Sequence, residues 1–378
     1  MRSRVIITIV LGMMIMSTGF AYSLSSNNAT TQQKASYTMP QEDSEHEGTW
    51  LQWPHNFTYS EDHKESLQSI WIQMTKALAT GEMVHIIAYN EEERVQIEMA
   101  LNEADVDLSA VDFYIYPTDD VWVRDNGPVF VYDNNYRTVM LNWGFNGWGK
   151  KTPYKKCAEI PKCLSKDLEI PIVDLKKVVL EGGAVEFDGS GTCITTRSSV
   201  TNKNRNPKLS EKKIEEYIKK YYGVKQVIWL DGISGEDITD FHIDGFVKFL
   251  NRTTVVTMQD RDLEEWGLSD LDIERLHAIK NTSKVQYKRI YLPLTKIDVV
   301  LKNGKKLGYK GSYVNYYIAN NVILVPNYND PNDVKANAII QKLYPTRKVV
   351  GIDVRELYKD GGMIHCVTQQ QPIDKVIN

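Results

Sequence analysis

Four short stretches carry the side chains that could do chemistry. GGMIHCVTQQQP, residues 361–372, sets Cys366 and His365 behind Gly361 and Gly362. GEDITDFHIDGFVKFL, residues 235–250, holds His242 and Asp244 two positions apart, which in an extended segment puts imidazole and carboxylate on one face. TDDVWVRDNGPVFV, residues 118–131, packs Asp119, Asp120, Arg124 and Asp125 around Trp122 before turning through Gly127 and Pro128. LEGGAVEFDG, residues 180–189, places Glu181 after a hydrophobic run and before two glycines that let backbone or ligand come close. Each has a plainer reading. A free cysteine is usually a small buried hydrophobe, a lone His-x-Asp a satisfied core histidine, Arg124 an internal ion pair, and Glu181 a buried acid that needs a cation beside it.

Together these groups suit one reaction. A thiol, an imidazole and several carboxylates, with no metal-ligand spacing among them, fit attack on a planar, positively charged carbon, and a guanidinium fits best. Two carboxylates can each grip it through paired N–H···O bonds and hold its carbon before the sulfur. The thiolate adds, ammonia leaves with a proton from histidine, and the same histidine then activates water against the thiouronium intermediate. No cofactor and no metal are called for. A papain-like protease would use Cys and His without the carboxylate pair. An amidinotransferase would resolve the intermediate with an amine, and a binding protein would keep the fold without turnover.

The elements that must position these groups form an α/β pattern. Helical periodicity is clear in SEDHKESLQSIWIQMTKALATG, with Ser60 to cap its start and Gly81 its end, and in SEKKIEEYIKKYYG, closed by Gly223. Short Val/Ile/Tyr-rich runs such as MVHIIAY, TVMLNWGF, TTVVTM and VILVPNY read as strands. No Pro/Ser-rich linker interrupts residues 40–370, and no clean internal repeat stands out. The reactive residues cluster beside strand ends, where a scaffold presents its chemistry.

At 378 residues, 42% hydrophobic and 25% charged, the chain has globular composition, and a net charge of -4 gives no reason to expect nucleic acid or an anionic membrane as partner. Residues 1–23 read as a signal peptide, with Arg2 and Arg4 before an apolar run and small residues near Ala21 and Ser23. A polar tether follows over 24–37, and one catalytic domain over 38–378, so the expected location is secreted or periplasmic, free of the membrane after cleavage. In that oxidising setting Cys157 and Cys163, with five residues between them, could pair. Cys193 reads as a buried strand residue. The assembly state is open, a homodimer included.

From MPQEDSEHEGTWLQWPH at residue 39 to the end, the motifs resemble those of the agmatine deiminase and Porphyromonas-type peptidylarginine deiminase family of the guanidine-modifying pentein superfamily. WVRDNGP at 122–128, LEGG at 180–183, TNKNRNP, His-x-Asp at 242–244, SYVNYYIANN and GGMIHCVTQQQP carry the likeness in order. The resemblance implies a five-bladed pseudo-symmetric α/β propeller, the pentein fold, around a funnel. It implies Cys366 as nucleophile, His242 as general acid and base, and Asp125 and Asp244 as the guanidinium grip. Glu181 would support or touch the substrate, Trp122 would wall its aliphatic part, and Gly362 would leave room beside the thiol. The expected reaction is agmatine to N-carbamoylputrescine and ammonia. Arginine, free or at a peptide end, is the rival substrate. Asp119, Asp120, Glu236 and Asp237 are candidates for the substrate's far end. The pattern departs at Asp43 and over Thr239–Gly245, two regions expected to frame the pocket.

Overall fold

The computed structural model describes residues 36–375; the leader expected at 1–23 and all but the last two residues of the tether lie outside the described residues. Sixteen strands sort into five small sheets. Three-stranded blades are formed by β4 (Val129–Tyr132), β5 (Thr138–Gly144) and β6 (Ile172–Val179), and by β7 (Val185–Phe187), β8 (Thr192–Thr196) and β9 (Gln226–Leu230). Two more are formed by β10 (Lys248–Asn251), β11 (Thr254–Thr257) and β12 (Lys288–Tyr291), and by β13 (Tyr317–Ile318), β14 (Val322–Asn327) and β15 (Lys348–Asp353). In each, the first strand runs antiparallel to the middle one and the middle one parallel to the last.

The fifth sheet closes the ring with both ends of the chain. β1 (His46–Gln52), β2 (Met83–Ala88) and β3 (Val111–Ile115) are parallel, and β16 (Gln369–Pro372) joins β1 antiparallel, pairing Trp50 with Gln369. The result is the five-bladed α/β propeller implied by the resemblance.

Parallel neighbours need long crossovers, and helices supply them. The helix Glu61–Leu78 links β1 to β2 and buries Leu67, Ile70, Trp71, Met74 and Leu78 on one stripe. It ends at Ala79; Gly81 instead lies against Asn321, where a Cβ would sit 2.6 Å from that side chain. The helix Glu211–Tyr222 starts where Ser210 accepts from the Lys213 N–H and stops at Gly223, whose φ of 70° is the left-handed cap glycine tolerates. Middle strands β5, β8 and β11 are buried along their whole length, as strands covered on both faces must be, and Cys193 sits buried in β8.

One recurring feature positions the site. Each of three blades is entered by a single tight turn, and its first strand begins four residues after an acid: Val129 after Asp125, Val185 after Glu181 and Lys248 after Asp244. The turns are Val123–Asn126, Gly182–Ala184 and Ile243–Gly245, and they pack on one another. This is an internal repeat that the sequence reading missed, because only the acid and a nearby glycine recur.

Candidate active site

The turns bring four ionisable groups to one point. A Cβ built on Gly183 would lie 2.8 Å from His242 Nδ1, 3.0 Å from Asp125 Oδ1 and 3.0 Å from Asp244 Oδ2, so any two of those atoms are within twice the longer distance of each other. Only glycine leaves this space open. Asp125 is held by the Gly183 N–H on Oδ1 at 3.0 Å and by the Trp148 indole N–H on Oδ2 at 2.9 Å. His242 lies 3.8 Å from Asp125 Oδ1 on one side and 3.8 Å from Glu181 Oε2 on the other. Both His242 Nε2 and Glu181 Oε2 are buried without a hydrogen-bond partner, and 3.8 Å is too long for one between them.

Cys366 comes from the last blade. It sits in the 3-10 turn His365–Val367 just before β16, with Sγ 3.9 Å from Asp244 Oδ2 and 3.5 Å from Asn315 Nδ2. Asn315 is oriented by the His365 N–H, which donates to its Oδ1 at 3.0 Å, so that its Nδ2 donates to the Asp244 carbonyl at 3.3 Å and to the sulfur. Asn315 precedes β13 and completes the set of turn residues, one from each remaining blade.

His242 and Asp244 reach the site differently from expectation. The segment is not a strand. Asp240 and Phe241 take φ of 61° and 77°, and the chain then enters a 3-10 turn at Ile243. A bulky residue in the left-handed region is strained, and here the strain is held by neighbours. Asp240 accepts from Arg205 Nη1 at 2.7 Å and from Lys151 Nζ at 2.9 Å, while Phe241 packs on Phe246. Arg205, fully buried, also donates to Glu181 Oε1 at 2.6 Å. This is the cation Glu181 requires, and it fastens the His242 loop to the Glu181 turn.

Electrostatics follow from that packing. Burial alone would depress His242, but Asp125, Glu181 and Asp244 outweigh it and hold the imidazole up at about 9. Burial raises the Cys366 thiol well above its usual range, and the negative charges of Asp244 and Asp125 raise it further. Asp125 is likewise raised, mainly by burial. Asp244 and Glu181 are lowered despite burial, the first through His365 and the second through Arg205.

A cavity of about 470 Å³ leads outward from Cys366, His242 and Asp244. Phe241, Trp266, Tyr309 and Tyr358 give it aromatic walls, and Glu236, Asp237, Glu265 and Asp360 stand with Lys310 and Lys359 around it. Thr239, Phe241 and Gly245 line it, as expected of that stretch, but Asp43 does not.

Four other expectations need correction. Asp119 is not at the cavity: its Oδ2 accepts the backbone N–H groups of Lys156 and Cys157 at 2.7 and 3.1 Å, a turn-holding job. Asp120 is turned to Tyr59 and half-buried, its carboxyl pushed up to about 6 chiefly by loss of solvent. Gly362 makes room not for the thiol but for Trp122, whose ring a Cβ there would meet at 2.2 Å. Cys157 and Cys163 are both free thiols. Cys157 is buried, accepting the Asp119 N–H at 3.2 Å, and its thiol is pushed up to about 12 by burial.

A model of the Porphyromonas-type peptidyl-arginine deiminase family matches residues 38–372. The chain belongs to that family. It is 33% identical over 364 residues to the agmatine deiminase of Stutzerimonas stutzeri, covering 91% of this chain and 97% of that one. It is 31% identical over 368 residues to the agmatine deiminase of Pseudomonas aeruginosa, covering 92% and 98%. Among solved structures, the agmatine deiminase of Enterococcus faecalis superposes with a TM-score of 0.80 at 25% identity, covering 89% of this chain and 96% of the other. A cysteine-to-serine variant of the C. jejuni agmatine deiminase with substrate bound superposes at 0.77 with 27% identity, covering 90% and 98%.

Proposed function

We propose that this chain hydrolyses the guanidinium of agmatine to N-carbamoylputrescine and ammonia through a covalent intermediate on Cys366. The observation that carries the reading is the convergence of His242, Asp125 and Asp244 above Gly183, with the Cys366 sulfur beside Asp244. Glu181 and Arg205 frame this group, whereas Trp122, expected along the aliphatic part of the substrate, packs on Gly362 and Trp148 and does not line the cavity; the relatives named agmatine deiminase support the choice of substrate.

Asp125 and Asp244 each take N–H groups of the cation. Their charge adds to burial in holding the thiol up, so a guanidinium between them removes that part of the penalty and helps the thiol lose its proton to solvent as substrate binds. The thiolate then attacks the guanidinium carbon. A C–S bond forms while His242, charged at neutral pH, gives its proton to the departing nitrogen, which leaves as ammonia. The neutral imidazole next takes a proton from water, hydroxide adds to the thiouronium carbon, and the C–S bond breaks to release the thiolate and the substituted urea, the added hydroxyl giving its proton to solvent. Glu181 and Asp125 stabilise the histidine whenever it carries charge.

The cavity favours a second reading of the substrate. About nine non-hydrogen atoms, each taking no more than the ~30 Å³ of a water, make agmatine smaller than about 270 Å³, less than the 470 Å³ present. The same chemistry could therefore serve an arginine at a peptide end, with Lys310 or Lys359 near its carboxylate. Ammonia release from agmatine, free arginine and a peptide ending in arginine, measured side by side, decides between them. Preference for agmatine supports the first reading, preference for peptide the second, and release from none overturns both.

Export is part of the proposal. Its check is the amino terminus of the protein taken from its native host: a chain beginning after Ala21 or Ser23 supports it, and one beginning at Met1 contradicts it.

A further inference from the structure

Behind Asp244 runs a line of buried charges that the reaction above does not use. His365 Nδ1 meets Asp244 Oδ2 at 2.8 Å, and its Nε2 meets Glu42 Oε2 at 3.1 Å. Glu42 also takes Lys248 Nζ at 2.8 Å and the Ile318 N–H at 3.1 Å, and Lys248 reaches Glu186 at 3.2 Å. His365 and Lys248 are almost wholly shielded from solvent. Both ring nitrogens of His365 thus face carboxylate oxygens, and ionised carboxylates only accept, so both contacts are hydrogen bonds when the ring carries two protons.

The backbone of His365 is engaged as well. Its N–H donates to Asn315 Oδ1, the amide beside the sulfur, and its carbonyl accepts from Arg124 Nε at 3.2 Å. Arg124 is the chain neighbour of Asp125, and His365 the chain neighbour of Cys366. One residue therefore touches, directly or through one bond, the nucleophile, both gripping carboxylates and the segment near residue 40. A structural ion pair would need only one of these links.

We propose that His365, fixed by Glu42, is the positioning residue that sets Asp244 and Cys366 in register on the bound cation. The proposal rests on Cys366 and Asp244 acting as described above. His365 pins Asp244 Oδ2, the oxygen that faces the Gly183 space and lies 3.9 Å from the sulfur, and fixes the turn that carries the sulfur. Lys248, four residues after Asp244 at the start of β10, balances the charge of Glu42 and ties the line to a strand.

The test is alkylation of Cys366 by chloroacetamidine, a guanidinium mimic, against the neutral chloroacetamide. The ratio of the two rates reports the carboxylate grip on a cation set before the sulfur, and folding alone does not move it. Glu42→Gln should lower the ratio about tenfold, as misplacement of up to 1 Å can cost about 100-fold. His365→Asn should lower it as much, and adding Glu42→Gln to it should change nothing further. Lys64→Met, which breaks a buried ion pair with Glu93 away from the cavity, should leave the ratio at the wild-type value. A ratio within twofold of wild type in Glu42→Gln overturns the proposal, as do effects that multiply in the double variant; should His365→Asn not fold, Glu42→Gln alone decides. A wild-type ratio near unity would instead refute the guanidinium site itself, and a high ratio without agmatine turnover would refute only the substrate.

Discussion

Gly183→Ala is the sharpest perturbation the site allows. The added methyl would lie 2.8 Å from His242 Nδ1 and 3.0 Å from both Asp125 Oδ1 and Asp244 Oδ2, whereas ordinary contacts begin at 3.4 Å. Each group must withdraw by about half an ångström, which is the whole positional tolerance of about 0.5 Å for a working site. Three simultaneous shifts of that size should cost about 100-fold in kcat/KM, or about 2.7 kcal/mol of transition-state stabilisation. The methyl also occupies the place where the cation sits, so KM should rise along with the fall in kcat. Stability should move little, since Gly183 has no left-handed backbone requirement. Its neighbour provides the contrast: a Cβ on Gly182 would meet the Arg124 carbonyl at 2.1 Å, a backbone clash that should cost folding. The assay is ammonia release with thermal denaturation of both variants. Gly183→Ala activity within threefold of wild type would refute the claim that these three groups act together at that point.

Asp125→Asn should drop the His242 pKa from about 9 toward its ordinary value, because Asp125 is the largest influence opposing burial; a histidine NMR titration on the Cys366→Ala protein reads it, and an unmoved midpoint contradicts the assignment. Since the folded pKa lies above the unfolded one, the histidine's stabilising contribution is full below pH ~6.5 and lost as pH rises toward 9, so denaturant midpoints should fall over that window in the Cys366→Ala protein and fall less with Asp125→Asn. Arg205→Met strands Glu181, while Asp240 keeps Lys151, and should cost about 3–5 kcal/mol, seen as a lowered urea midpoint; an unchanged midpoint would mean the Glu181 pair carries no weight. All four cysteines should titrate as thiols in denaturant without reductant, and a count of two would restore the Cys157–Cys163 disulfide.

The residues that converge at the candidate site were legible in the sequence because each sits in a short motif of unusual composition, Glu181 with its glycine pair or Cys366 behind Gly361 and Gly362. What supports them was not. Glu42 and His365 are hydrogen-bonded across 323 positions, and Arg205 reaches Asp240 across 35, distances over which no spacing rule applies. The left-handed backbone at Asp240 and Phe241 was hidden too, since propensity disfavours it for Phe and the loop imposes it through Arg205. Asp119 misled because an acid near Trp122 looks poised for substrate, yet its oxygen accepts the backbone N–H groups of the turn at Lys156 and Cys157. The blades' repeat was lost because only an acid and the strand that follows it recur; the rest of each blade answers to its own packing.

The central claim is that the Cys366 sulfur becomes bonded to the guanidinium carbon during turnover. Acid-quenching the enzyme during steady-state turnover of agmatine, followed by mass spectrometry of its peptides, tests it directly. The peptide containing Cys366 should carry agmatine less ammonia, and the adduct should disappear with the activity in Cys366→Ala. Turnover retained in that variant, or an adduct on Cys157, Cys163 or Cys193 instead, would contradict it.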